Sequence, residues 1–278
     1  MSVEIKKLYY PSGTLQIQTY YNNNVPHRED GPAVEEFYKN GAIKHRTWYT
    51  HGKQHRDNDP AHEHFYKDGT LESYQWYRHG ERHRENEPAI ETFYPCGTLR
   101  AREWHKNGNL HREGAPAQEE FYKDGTLQQH EWRINGIYYR KEGPTYESFY
   151  DNGNLKSREW TKHGKPHRED GPAGEWFYKN GIIESHEWCQ DGLLHRENAP
   201  AIEWFNTDGE LTDCGWFRNG KRHRLDGPAQ ESFINIGKKT KAVYWLDDIN
   251  VTEEEHRRRV TLLKLQTKLI TDNSTIML

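Results

Sequence analysis

The chain is poor in the residues that build a deep hydrophobic core or a disulfide framework. Only 32% of its 278 residues are hydrophobic, and it has 2 methionines and 3 cysteines. No apolar run approaches the ~20 residues of a membrane-spanning helix, and the start lacks the apolar segment of a signal peptide. We interpret Cys96, Cys189 and Cys214 as reduced thiols, because an odd number cannot form a complete set of disulfides. These absences lead us to expect a soluble intracellular protein.

An excess of basic charge and the common catalytic motifs are also missing. The 39 Lys and Arg residues face 43 Asp and Glu residues, for a formal net charge of −4. This balance differs from the basic surface of a nucleic-acid-binding protein. The sequence contains no Gly-x-Ser-x-Gly, no phosphate-binding Walker loop and no His-Glu-x-x-His. We therefore expect no nucleic-acid partner, no cofactor and no enzymatic activity.

What the chain does contain is a repeated stretch. His-Arg, followed four residues later by proline, recurs every 28 residues, with Tyr139-Arg140 in the same phase. The dipeptides are His27-Arg28, His55-Arg56, His83-Arg84, His111-Arg112, Tyr139-Arg140, His167-Arg168, His195-Arg196 and His223-Arg224. Such self-similarity indicates a repeat array. Aromatic residues make up 13% of the chain and recur in phase, so each unit can bury its apolar face on its neighbours without a deep core.

Each unit has the signals of a β-hairpin. Asn-Gly or Asp-Gly separates two β-favouring runs, as at Asn40-Gly41. A two-residue loop would place Tyr38 opposite Ile43, whereas a three-residue loop would place Phe37 there, and both registers remain open. We predict nine hairpins, centred near Gly13, Gly41, Gly69, Gly97, Gly125, Gly153, Gly181, Gly209 and Gly237. If they pair edge to edge, they form a twisted ribbon on the order of 80–90 Å long.

We divide the chain into an N-terminal half repeat (1–24), eight 28-residue repeats (25–248), and a C-terminal helix and tail (249–278). Thr252 followed by three glutamates predicts a helix from Glu253 to about Ile270. Val260 and Leu263, with Leu262 or Leu265, are its candidate apolar face. We expect this helix to cap the edge of the last hairpin, with dimerisation as the alternative.

The unit resembles a known repeat. Phe37-Tyr38-Lys39-Asn40-Gly41-x-Ile43, followed by Trp48-Tyr49-x-His51-Gly52, is similar to the MORN (membrane occupation and recognition nexus) repeat, especially the divergent type in bacterial antitoxin-like proteins. With His-Arg-x-Asp-Gly-Pro-Ala, it looks like MORN-repeat proteins encoded by giant DNA viruses of amoebae. The resemblance covers about residues 5–245, with a longer period than usual and His-Arg in place of the usual His-Gly. It implies an elongated β-hairpin ribbon that acts as a scaffold or adaptor, sometimes at membranes.

Two charged series recur in every repeat, and we interpret them as a structural ladder in which arginine and glutamate pair. The arginines are Arg28, Arg56, Arg84, Arg112, Arg140, Arg168, Arg196 and Arg224, and the glutamates are Glu35, Glu63, Glu91, Glu119, Glu147, Glu175, Glu203 and Glu231. The alternative is a row of acid/base groups, but eight copies of one chemistry are not typical of a catalytic site.

The histidines before each arginine do not form a metal site by our reading. Zinc ligands lie about 2.0–2.1 Å from the ion, whereas equivalent side chains one hairpin apart are separated by roughly 10 Å. Trp176 and Trp204 differ from these series because they occupy a position that is polar in the other repeats. They are a candidate partner-binding pair, with ordinary sheet packing as the alternative.

These observations predict an all-β repeat protein with a C-terminal capping helix that acts as a non-enzymatic scaffold or adaptor. Its expected partners are other proteins, including a second copy of the chain as a homodimer. The alternative is a peripheral membrane protein that binds lipid. By the resemblance, the setting is viral, in the host cytoplasm or the virion.

Overall fold

The computed structural model describes residues 3–234 and 238–275. Their structure is antiparallel β-hairpins followed by a single helix, which confirms the predicted fold class. The chain divides into two compact units, residues 1–153 and 154–278. In each unit the strands pair with their neighbours in sequence, so the order of the strands in the sheet follows the order of the repeats.

Each repeat contributes two long strands to the sheet. In the first unit the first strands are Val3–Tyr9, Val34–Phe37, His62–Phe65, Ile90–Phe93, Gln118–Phe121 and Tyr146–Phe149, and the second strands are Leu15–Asn22, Ile43–Thr47, Leu71–Gln75, Leu99–Glu103 and Leu127–Glu131. In the second unit the first strands are Gly174–Phe177, Ile202–Phe205 and Gln230–Ile234, and the second strands are Leu155–Glu159, Ile183–Glu187, Leu211–Gly215 and Lys238–Leu246.

The hairpin register is the one with the three-residue loop. Phe37 lies opposite Ile43, after a bulge between Glu36 and Phe37. Gly41 has a φ of 84°, the left-handed conformation that glycine adopts without strain. Asn40 keeps a negative φ, so the turn is not the two-residue type that Asn-Gly also allows. The predicted turn at Gly237 lies outside the described residues.

A second row of small hairpins was not predicted. After the long strands the chain forms two-residue ribbons: Tyr49–Thr50 with Lys53–Gln54, Tyr77–Arg78 with Glu81–Arg82, His105–Lys106 with Asn109–Leu110, Arg133–Ile134 with Ile137–Tyr138, Thr161–Lys162 with Lys165–Pro166, Cys189–Gln190 with Leu193–Leu194, and Phe217–Arg218 with Lys221–Arg222. Val25–Pro26 pairs with the end of Leu15–Asn22, and Ile249–Val251 pairs with the end of Lys238–Leu246. Positive φ angles of 49° and 75° at His51 and Gly52 identify the two-residue turn. The Gly80 amide donates to the Gln54 carbonyl at 2.9 Å, so neighbouring ribbons are joined.

Burial is concentrated where consecutive repeats meet. The alanine after the proline has an exposed fraction of 0–2%; its positions are Ala33, Ala61, Ala89, Ala117, Ala173, Ala201 and Ala229. The backbone of this alanine is hydrogen-bonded to both neighbouring strands. The Ala61 amide donates to the Gln75 carbonyl, and the Ala61 carbonyl accepts from the Trp48 amide. The hairpins are also linked by tyrosines, as when the Tyr38 hydroxyl donates to the Phe65 carbonyl at 2.9 Å. Stability thus rests on many similar contacts between neighbours.

The C-terminal helix spans Glu253–Thr275, which extends past the predicted end at Ile270. The Thr252 hydroxyl caps it by accepting from the Glu255 amide at 3.2 Å. His256 and Val260 are 3% and 7% exposed, and His256 Nε2 lies 2.7 Å from the Arg224 carbonyl oxygen. The predicted apolar face is wrong in part, because Leu262, Leu263 and Leu265 are about half exposed. No described helix is sufficiently long and apolar to cross a membrane.

Candidate functional site

The sheet in each unit has two different faces. One face carries the glutamate series together with the arginine and aromatic series that recur in each repeat, and we call it the recurrent face. The opposite face carries the residue directly after each glutamate and its cross-strand neighbours, such as Glu36, His45, His64 and Ser73. We call it the variable face, because its residues differ from repeat to repeat.

On the recurrent face every arginine of the series stacks on an aromatic ring. The distances from the guanidinium carbon to the ring centroid are 3.7–4.2 Å, for Arg28 on Tyr20, Arg56 on Trp48, Arg84 on Trp76, Arg112 on Trp104, Arg140 on Trp132, Arg168 on Trp160, Arg196 on Trp188 and Arg224 on Trp216. A guanidinium above an aromatic face is a favourable cation–π arrangement. The connection between repeats therefore lies over this face of the sheet.

Each stacked arginine is also held by a backbone carbonyl, an acidic group or both. Arg112 Nη1 donates to the Pro116 carbonyl at 3.1 Å, and the same bond occurs in the six other repeats from Arg56 to Arg224. Arg28 Nε donates to Asp30 at 2.8 Å instead. These bonds fix the bend in which Gly31 and Pro32 stand. At Gly31 a Cβ atom would lie 2.9 Å from the Arg28 guanidinium carbon, so a larger residue requires the arginine side chain to shift, and other repeats carry Asp59, Glu87 and Ala115 at this position.

The arginine and glutamate series come together in part. The two groups lie 3.0–4.0 Å apart in five repeats: Arg56–Glu63, Arg140–Glu147, Arg168–Glu175, Arg196–Glu203 and Arg224–Glu231. In the other three described repeats, no nitrogen of Arg28, Arg84 or Arg112 lies within 4.0 Å of the glutamate seven residues later, and Arg28 and Arg84 pair with Asp30 and Glu87 instead. The glutamates have a second class of partner on the neighbouring strand, as in Arg46–Glu63 at 2.5 Å and His130–Glu147 at 2.8 Å.

The environment of a glutamate decides its acidity. Burial alone would raise the pKa of Glu147, but hydrogen bonds and charges from His130 and Arg140 outweigh it and hold the pKa below its ordinary value. Glu91 lies opposite Tyr74 on the preceding strand, and burial raises its pKa although the charge of Arg102, opposite it on the following strand, acts to lower it. The glutamates of the series thus differ in pKa because their neighbours differ. Most of them pair with cationic side chains.

The histidine series supports the small ribbons. In six repeats the ring Nδ1 accepts from the backbone amide of the turn residue 24 positions later, at 3.1–3.4 Å, as His27 does from His51. The turn residue has a positive φ, as at Asn107 (49°) and Asn135 (50°), and its exposed amide needs a partner. No group of three or more His, Cys, Asp or Glu side chains in the described part of the chain is gathered to hold a metal ion.

Trp176 and Trp204 lie on the variable face of the second unit. Both are opposite Ser185, one on each side of it, so the two tryptophans flank one small buried residue. Trp204 is 39% exposed, and the ring of Trp176 lies over Gly174, whose missing side chain makes room for it. We call these two residues with Ile202 the tryptophan patch. The structure brings the predicted pair to one surface but leaves its role as a prediction.

Acidic groups border the tryptophan patch. Glu187 lies opposite Gly174 on one strand and Ile202 on the next. Burial raises the pKa of Glu187, and the nearby charge of Glu159 raises it further. Asp213 lies opposite Trp204. The surface therefore combines exposed indole area with carboxylates that repel one another.

Two features of the site were missed by reasoning from sequence. One is the stacking, although a tryptophan or tyrosine stands eight residues before each arginine and could have revealed it. The other is a histidine cluster on the variable face, His45, His62 and His64, at positions that hold other residues in the remaining repeats. The sequence signal that could have revealed this cluster is its departure from the repeat pattern.

Comparison with known families agrees with the repeat architecture. Residues 5–23 and 145–161 match the family model of the MORN repeat variant. No curated protein matches the chain. The two matched segments contain Gly13 and Gly153, which are related by five periods of 28 residues. The match supports a MORN-like repeat protein, because the repeats between the segments follow the same pattern.

Proposed function

We propose that this MORN-like chain is a non-enzymatic scaffold that binds a protein partner through the tryptophan patch on its variable face. MORN repeats are commonly scaffold or membrane-associated modules for protein interaction. The observation that carries the proposal is the placement of Trp176 and Trp204 on either side of Ser185. Tryptophan is enriched at the centres of protein interfaces because it buries a large area at low entropic cost.

The recurrent face supports this assignment indirectly. Its arginines stack on an aromatic ring in each repeat, and from Arg56 to Arg224 they also bond to a proline carbonyl, as Arg196 does to Trp188 at 3.7 Å and to the Pro200 carbonyl at 3.1 Å. Because these arginines already make contacts within the chain, they are less available to bind a partner. The variable face is the surface on which binding groups differ from those of the neighbouring repeats.

The acidic border favours a partner segment with a cationic side chain. Glu187 lies opposite Ile202 and Asp213 lies opposite Trp204, so an arginine or lysine from a partner would meet carboxylates at the edge of the patch. The same cation can lie on an indole ring of Trp204. We therefore propose a protein segment with one basic residue beside an apolar anchor.

Affinity capture from the native cell tests the proposal. Trp176→Ser and Trp204→Ser introduce serine, the residue found at the equivalent positions Ser148 and Ser232, and should abolish capture of a partner while the fold is kept. The matched control is Tyr139→His, which changes another aromatic residue, 57% exposed, to the residue of the other repeats. Capture that is unaffected by the tryptophan changes, or lost equally in the control, would contradict the proposal.

Similarity to MORN repeats, which are also found at membranes, supports a peripheral membrane protein as the alternative function. A peripheral membrane protein would co-sediment with liposomes, and the net charge of −4 predicts no binding to anionic lipid. Self-association would appear as a homodimer in analytical ultracentrifugation. A viral setting, in host cytoplasm or virion, is proposed on the resemblance of the repeat unit alone.

A further inference from the structure

The first strand of the chain, Val3–Tyr9, is an edge of the sheet in the first unit. Among the described residues it pairs only with Leu15–Asn22, whereas Val34–Phe37 pairs with a strand on each side. Residues 4–9 are all exposed. Ile5 is 50% exposed, although it stands one period before the buried Ala33. An unpaired edge strand presents its backbone hydrogen-bonding groups to any strand that approaches it.

The outer strand of the second unit, Lys238–Leu246, is protected against such pairing. Its end pairs with Ile249–Val251, and the C-terminal helix contacts it. The part before that pairing carries three lysines, and lysine on an edge strand opposes pairing with another strand. Val3–Tyr9 carries an acidic residue as well as basic ones, so its charges can be matched by those of an identical strand.

The backbone of Ile5 points toward the open edge. Tyr20, which lies opposite Ile5, donates its amide to the Ala33 carbonyl at 2.7 Å and accepts from the His27 amide at 3.0 Å. In an antiparallel ladder, opposite residues either bond to each other or both turn their amides and carbonyls away. Because Tyr20 turns away from Val3–Tyr9, Ile5 turns away from Tyr20. By the two-residue alternation of a strand, the residues two positions before and after Ile5 do the same.

The charges of the strand select one register for a pair of identical strands. Two such strands pair antiparallel about a two-fold axis perpendicular to the sheet. This axis keeps the faces of the two sheets aligned, so it must pass through a residue position rather than between two. An axis at Ile5 places Glu4 of each copy opposite Lys6 of the other. An axis at Glu4, Lys6 or Lys7 would instead place like charges directly opposite each other, which is destabilising.

We propose that two copies of the chain pair antiparallel through Val3–Tyr9, with Ile5 on the two-fold axis. Ile5 pairs with Ile5 and Val3 with Lys7, and these three pairs exchange about six backbone hydrogen bonds. The side chains of Glu4 and Lys6 are 52% and 61% exposed and lie 3.6 Å apart within one chain. In the dimer, each copy adds its pair to that of the other, so that the four charges alternate in sign. This dimer does not depend on the tryptophan patch, which lies on the second unit.

Sedimentation equilibrium of the full-length chain, purified with a C-terminal tag, tests the proposal over about 1–200 µM. We expect a reversible equilibrium between monomer and dimer that shifts toward monomer on dilution and at high salt. Lys6→Glu places glutamates opposite each other on both sides of the axis, and Glu4→Lys does the same with lysines. Each variant should weaken the dimer by about tenfold or more.

The two single variants together give the sharpest result. Each repels its own copy, but a Glu4→Lys chain meets a Lys6→Glu chain with opposite charges at every charged pair. Mixing them, with a fluorescent label on one, should therefore restore a dimer at least as tight as the native one. The double variant Glu4→Lys with Lys6→Glu should also dimerise as the native chain does. Loss of the contact within one chain cannot explain association that appears only on mixing.

The matched control is Lys241→Glu, the same change at an exposed lysine of the other outer strand, and it should dimerise as the native chain does. Trp176→Ser and Trp204→Ser should also keep the dimer, which separates this test from that of the tryptophan patch. The proposal is overturned if the native chain stays monomeric, if Lys6→Glu dimerises equally well, or if the mixed variants stay apart. Species larger than a dimer that Lys241→Glu changes would indicate head-to-tail assembly instead. Circular dichroism and thermal unfolding show that each variant is folded.

Discussion

Trp104 on the recurrent face and Trp204 on the variable face show how differently one residue type is used in this molecule. Trp104 is 6% exposed and has the Arg112 guanidinium 3.7 Å from its ring centroid. Trp204 is 39% exposed and stands where other repeats have Glu36, His64 or Thr92. Residues that recur at the period hold neighbouring repeats together. Residues that break the period are the better candidates for binding.

The largest expected effect is the difference in stability between alanine variants of the two tryptophans. Trp104→Ala should lower the free energy of unfolding by about 3–5 kcal/mol, because it empties a buried site and removes the support of Arg112. Trp204→Ala should change it by less than about 1 kcal/mol. Denaturant unfolding followed by tryptophan fluorescence and circular dichroism measures both. Equal losses at the two positions would remove the distinction between the faces.

A smaller loss is expected when the stacked cation is removed. Arg112→Ala should cost about 2–3 kcal/mol, since it loses the stack on Trp104 and a charged hydrogen bond to the Pro116 carbonyl. Arg112→Lys keeps the charge but loses the planar stack, and should recover only part of the loss. Chemical denaturation of the three proteins checks the order. A lysine variant as stable as the native chain would show that charge alone matters.

Coupling between the arginine and glutamate series should differ from repeat to repeat. Arg224 Nη1 lies 3.0 Å from Glu231, whereas Arg112 and Glu119 do not form an ion pair among the described contacts. Double-mutant cycles with alanine should give a coupling of about 1 kcal/mol or more for Arg224 and Glu231. For Arg112 and Glu119 we expect nearly additive losses. The reverse order would show that distance does not govern the pairing.

The architecture could be predicted from the sequence because it depends on short-range chemistry repeated many times. The 28-residue period and Gly41 between β-favouring runs define hairpins. Thr252 before three glutamates marks where the helix begins. The register was left open because Asn40-Gly41 is compatible with both loop lengths. In the structure a bulge between Glu36 and Phe37, within the hairpin, accompanies the three-residue loop.

The contacts of the site were harder to predict because they join positions far apart in sequence. The His27 ring supports a turn at His51, 24 residues later, and Arg46 reaches Glu63, 17 residues later. Neither distance has a local signature. The ladder was expected to pair each arginine with its glutamate, yet a cross-strand partner also competes for the carboxylate. The tryptophan patch was named from its departure from the period.

A further comparison concerns the pH dependence of stability at two glutamates of the series. The pKa of Glu147 is lowered in the folded state, so its contribution to stability is present above the ordinary pKa of glutamate and is lost as pH falls through the folded value. The pKa of Glu91 is raised by burial, so its contribution is present at low pH and is lost as pH rises. Glu147→Gln should therefore destabilise at neutral pH by about 1–3 kcal/mol, and Glu91→Gln should not. Unfolding curves from pH 3 to 7 measure both, and the same pH dependence in both variants would contradict the assignment.

The most direct test of the account changes five residues of the variable face together. His45→Ser, His62→Val, His64→Thr, Trp176→Ser and Trp204→Ser each introduce a residue that another repeat carries at that position. The free energy of unfolding of this variant should stay within about 2 kcal/mol of the native chain. A loss as large as that of Trp104→Ala would contradict the account, because the variable face would then hold the fold together.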